Sequence, residues 1–222
     1  MRSFIPARRG AAVLAALALI SVGAAGTAQA GKPNKGGTII WSSTTTTAPA
    51  SPTTVRDTHT ATCPKVMEYS TCGSMSVTID NFGATGWNGS ASPANNAVRY
   101  NTYYGSSSWA NVVAHEVGGH VDAWNEIVAK VGAAQAWTDY YDLDYFGELW
   151  AEARYRTLKG TTRDLTRTQG KEVYLDCVGP VAHGYTGGYV GGLGFSTLSA
   201  QQSFCTGSGA VMSDALTKVR PS

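Results

Sequence analysis

The chain has 222 residues, 17 basic and 15 acidic side chains and four cysteines. Its first thirty residues hold three arginines and no acid, so the remainder carries 14 basic against 15 acidic residues. That balance argues against a nucleic-acid or anionic-surface partner, and the remaining length suits one domain rather than two.

Arg2, Arg8 and Arg9 precede an apolar run over residues 11–22, and Ala28-Gln29-Ala30 has the small-x-small form of a cleavage site. These features predict an export signal over residues 1–30 and a secreted, extracellular product. The run is too short and Ala-rich for a bilayer span, so no stable membrane association is expected after cleavage. Residues 31–54 are rich in Thr, Ser and Pro and read as a flexible segment with a short strand over 38–41. A single domain is expected over 55–222. Cys63, Cys72, Cys177 and Cys205 form an even set, as two disulfides of an exported protein require. Three pairings are open, and the clustering fits Cys63–Cys72 with Cys177–Cys205 best.

Alternation over 75–82 and again over 97–104 predicts two strands, with a turn-rich stretch between them. From Trp109 the apolar spacing becomes helical, through Val112, Val113, Val117, Val121, Trp124, Ile127 and Val131, and stops at Gly132. Residues 146–158 predict a second helix ended by Gly160. Residues 171–177 suit a short helix or turn, and 178–195 a Gly-rich loop containing His183. Residues 211–219 suit a closing helix.

Within the first helix the chain reads His115-Glu116-Val117-Gly118-Gly119-His120. It is one residue longer than H-E-x-x-H, in which two histidines share a helix face and hold zinc while the glutamate activates water. At about 100° per residue, histidines four apart diverge by roughly 40° and histidines five apart by roughly 140°. A π-bulge absorbs such an extra residue, and the adjacent glycines tolerate irregular backbone. The expectation is therefore a bulged zinc-binding helix, with His115 and His120 as ligands of one Zn2+ and Glu116 as general base.

A third ligand is required. Glu126 lies six residues after His120 but lacks a Gly-bearing turn to leave the helix. Glu148 is followed four residues on by Glu152, which puts both carboxyls on one helical face. That pair also fits an ordinary solvated face, with Arg156 next in line. His183 has no spacing to recommend it. The pattern H-E-V-G-G-H-V-D followed by E-L-W-A-E-A over 148–153 resembles gluzincin metallopeptidases. It is most similar to the anthrax lethal factor-like and Pro-Pro endopeptidase-like group, over residues 109–156 only, and departs from it by the inserted glycine.

The resemblance implies an α+β, zincin-like fold, in which a small mixed sheet packs on the active-site helix and on a second helix bearing the glutamate. It also implies Glu148 as third ligand, Glu152 behind a ligand imidazole, and Tyr141, with Tyr140 beside it, as oxyanion donor. The strand ending near Tyr104 would align an extended substrate as an edge strand, with Trp87, Tyr100 or Tyr103 shaping subsites. The implied activity is zinc-dependent endopeptidase action on a peptide or protein by a secreted monomer. One alternative is a degenerate zincin serving as an extracellular binding module. Another is a sugar-binding protein using Trp87, Trp109 and the stretch 185–192 as platforms.

Overall fold

In a computed structural model, residues 49–69, 72–105 and 108–218 are described. The expected signal, the strand over 38–41 and most of the segment 31–54 lie outside them. The first element among the described residues is α1 (Pro52–Val66), so the last residues of that segment form a helical first turn, with Pro52 pre-set for its start. The sequence reading gave 55–66 no element. Five of α1's fifteen residues are threonines, whose branched side chains suit helices poorly. Packing supplies what propensity lacks, since Val55, Cys63 and Val66 are fully buried and Cys63 is bridged to Cys72.

The fold is α+β. Three strands, β1 (Ser76–Asp80), β2 (Gly89–Ser92) and β3 (Ala97–Asn101), form a mixed sheet in the order β1-β3-β2. β1 runs parallel to β3 with Ser76 opposite Ala97, and β2 runs antiparallel with Gly89 opposite Tyr100. The strand expected at the edge, β3, is therefore central. The edge beside the helices is β2, which lay within the turn-rich stretch.

Helix α2 (Trp109–Val113) continues without a break into a π-helical segment, Ala114–Val121, and then into α3 (Asp122–Val131). The expected bulge is present and spans two turns rather than one. Its glycines are demanded by close packing. A Cβ at Gly118 would lie 2.8 Å from the Val66 carbonyl, and one at Gly119 3.0 Å from that of Leu175.

α4 (Ala133–Lys159) begins thirteen residues earlier than expected, and the aromatic, acidic stretch 140–146 is part of it. α5 (Arg167–Asp176) opens on a Thr166–Gln169 capping box. It crosses α4 in backbone contact, where Gly170 leaves no room for a Cβ against Glu148. A second π-helical segment, Cys177–Val181, follows. The region expected to be loop also holds α6 (Gly188–Gly192), and α7 (Leu198–Cys205) and α8 (Gly209–Thr217) are the last elements among the described residues. Cys177 is bridged to Cys205, so both expected pairings are present. No helix among the described residues is long and apolar enough to cross a membrane.

The apolar interior forms three clusters. The first joins α1, the sheet, α2 and the π segment, through residues such as Val98, Val113 and Val117. The second joins α3, α4, α5 and α8 around Ile127, Leu143 and Leu175. The third surrounds Phe204, between α4, α5, α6 and α7.

Candidate metal centre

π-Helical hydrogen bonding closes five residues along rather than four, which lifts His120 back over His115. Their ring centroids are 5.0 Å apart at 75°. Both Nε2 atoms converge on one carboxylate oxygen, Glu172 Oε2, at 3.0 Å from His115 and 3.2 Å from His120. Each imidazole is fixed at its other nitrogen. His115 Nδ1 donates to Asp176 Oδ1 at 2.7 Å, and the Tyr140 hydroxyl donates to His120 Nδ1 at 2.7 Å. Asp176 is held in turn, because Oδ2 accepts the backbone N–H groups of Tyr189 (2.6 Å) and Val190 (2.9 Å).

Burial dominates the electrostatics. It tends to lower His115, but hydrogen bonds to Asp176 and Glu172 outweigh it and raise that imidazole well above its ordinary range. His120 has no such excess of partners, and burial leaves it lowered. Burial would raise the Glu172 carboxyl, yet its contacts with the two imidazoles, His120 and the charged His115, hold it far below the usual carboxylate range. Without metal, His115 is thus an imidazolium donating through both nitrogens, and His120 is neutral, donating through Nε2.

Glu116 points beside this group. Its carboxyl is 1% exposed, and Oε2 has no hydrogen-bond partner. Burial pushes it up to about 8, with Glu172 and Asp176 adding and His115 opposing.

No family model matches the chain, and no curated protein or solved structure matches it either.

The donor set fits a metal. Two imidazole nitrogens and a carboxylate oxygen lie within 4.8 Å of one another. Ligands about 2.0–2.1 Å from a tetrahedral zinc stand roughly 3.3 Å apart, close to the two separations above. A carboxylate behind one imidazole and a hydroxyl behind the other are the outer partners a metal-ligating histidine needs. The orphaned Glu116 oxygen marks a place for a water or other polar atom.

His115, His120 and Glu116 therefore come together as the sequence suggested. Glu148 does not join them: the tight crossing of α4 and α5 leaves its side chain outside, 3.8 Å from Arg167. Glu152 accepts the backbone N–H of Leu165 and orients no imidazole. Tyr141 is 54% exposed and stacked on Trp137. It is Tyr140 that faces the site, behind His120 rather than over a scissile carbonyl. Glu126 pairs with Lys130, and His183 is half-buried outside the donor group. Trp87, Trp109, Tyr100 and Tyr189 are all buried, which removes them as exposed sugar platforms or subsites; Tyr103 alone of the proposed subsite residues is exposed.

The residues missed, Glu172 and Asp176, carry the signal that was sought. Glu172-Val173-Tyr174-Leu175-Asp176 also places two carboxylates four apart on one helical face. Glu148–Glu152 satisfied the same rule first.

Proposed function

We propose that this chain is a zinc-dependent hydrolase acting on peptide bonds. The observation that carries the reading is the meeting of His115 and His120 Nε2 at Glu172 Oε2, with the buried Glu116 carboxyl coupled to them and its Oε2 unpartnered. His115, His120 and Glu172 would hold the ion, and Asp176 and Tyr140 orient the two imidazoles. A divalent cation there supplies Lewis-acid polarisation of a carbonyl and acidifies water. Glu116, with its affinity for protons near neutrality, takes a proton from water and returns it to the leaving amine. The peptide as substrate rests on the likeness of His115–Asp122 to the gluzincin helix. Zinc as the ion rests on the mixed nitrogen and oxygen donor set.

Both histidines are fully buried, which favours a second reading: an ion that locks the fold and turns nothing over. Metal analysis of the purified protein, with a peptide mixture followed by mass spectrometry, separates the two. The hydrolase reading expects about one zinc per chain, cleavage by the wild type, and zinc without cleavage in Glu116→Gln. Zinc without cleavage in both proteins would leave the locking ion. No zinc in folded wild type would end both readings.

A further inference from the structure

Behind Asp176 the structure continues inward. Gln201, 1% exposed on α7, grips Gly187 with both ends of its amide. Oε1 accepts the Gly187 N–H at 2.8 Å, and Nε2 donates to the Gly187 carbonyl at 3.0 Å. Gly187 lies directly against the Asp176 carboxylate, where a Cβ would sit 2.4 Å from Cγ. It also leads straight into the Tyr189 and Val190 N–H groups that hold Oδ2. Cys205 follows Gln201 by one helical turn on the same face of α7. Its disulfide partner is Cys177, the residue after Asp176. Two anchors one turn apart, one covalent and one bidentate, thus tie α7 to the residue after Asp176 and to the glycine against its carboxylate, which orients His115.

We infer that the Cys177–Cys205 bridge and Gln201 together set the metal affinity of the His115–His120–Glu172 group, so that the chain holds metal tightly only once this bridge is closed. The inference rests on the metal-centre reading above. Closure is a thiol–disulfide exchange. Two cysteine thiols and a disulfide oxidant give the Cys177–Cys205 bond and two oxidant thiols, with the protein's sulfurs oxidised and the oxidant's reduced. Opening frees α7 to pivot, leaving Gln201 to hold Gly187 alone. Asp176 then loses its fixed direction, and His115 loses the partner that presents Nε2. Gln201 is a positioning residue and touches no ligand atom.

The test is zinc affinity by chelator competition on the full mature chain. It compares the wild type, Cys177→Ser/Cys205→Ser, Gln201→Ala and, as a control, Cys63→Ser/Cys72→Ser. Far-UV circular dichroism checks each fold, and the visible spectrum of the cobalt-loaded protein reports ligand geometry. We expect about tenfold or more weakening in the first pair and in Gln201→Ala, with altered cobalt bands, and wild-type affinity and bands in the control. Should the first serine pair not fold, Gln201→Ala decides alone. Unchanged affinity and cobalt spectrum in folded Gln201→Ala would overturn the inference while leaving the metal centre standing. A wild type that binds neither ion would remove the metal centre and this inference with it.

Discussion

The buried Glu116 carboxyl gives the metal-free protein a specific dependence on pH. In the unfolded chain the group ionises at about 4.5; in the fold, burial holds it protonated up to about 8. An acid whose folded pKa is raised costs nothing below its unfolded value. Stability then falls as pH rises between the two values and levels off above the higher one. At about 1.4 kcal/mol per pH unit the difference amounts to about 5 kcal/mol above pH 8 and about 3 kcal/mol at pH 7. Glu116→Gln removes the titration and keeps the shape. Urea unfolding of both metal-free proteins from pH 4 to pH 9 reads the titration of Glu116 with its coupled neighbours, because the groups remote from it contribute equally to the two. The variant should gain on the wild type steadily from pH 4.5 to 8 and then hold its lead. Saturating zinc, a positive charge beside the carboxylate, should shrink that lead. A stability difference that does not change with pH in the metal-free pair would show that Glu116 does not titrate there, and the argument for a poised base would fall.

Glu172→Gln should abolish stoichiometric zinc, whereas Glu148→Gln should leave it unchanged; metal analysis of the two folded variants decides between the third ligands. Tyr140→Phe removes the hydroxyl bonded to His120 Nδ1, and should weaken zinc about 10–100-fold in chelator competition. Zinc binding near pH 7 should release about two protons, from His115 Nε2 and Glu116, read by calorimetry in buffers of differing ionisation enthalpy. His120 adds none, since its proton moves from Nε2 to Nδ1. Gly118→Ala drives a methyl to 2.8 Å from the Val66 carbonyl, and should cost about 1–3 kcal/mol in chemical unfolding.

Much of the site's helix was legible because its periodicity and its irregularity are both local. Five-residue spacing across two glycines can serve one ion only through a widened turn, and Ala114–Val121 supplies it. Strands β1 and β3 and both disulfides were legible for similar reasons, from alternation and from clustering. The third ligand was not, because choosing between two E-x-x-x-acid helices needs the crossing of α4 and α5. That crossing is set by Gly147 and Gly170, whose backbones touch, a contact without sequence periodicity. α1 was hidden by its threonines, and β2 by Gly89 and the serines around Ala91, residues that read as turn until the sheet and Glu116 enclose them. Tyr140 and Tyr141 differ by one step on α4, and only its orientation says which faces inward.

The unbroken helix from Trp109 to Val131 serves two cores. Before the π segment its apolar residues face the sheet and α1; after it, Trp124 and Ile127 face α4 and α8. The widened turns rotate one stripe into the other, and the two imidazoles stand at that seam. Glu172 comes from α5, which packs with the second and third clusters but not with the first. An ion gripped by His115, His120 and Glu172 would therefore act as a rivet between the first cluster and the two that α5 joins, making cooperativity of unfolding a property of the occupied site as well as of the cores.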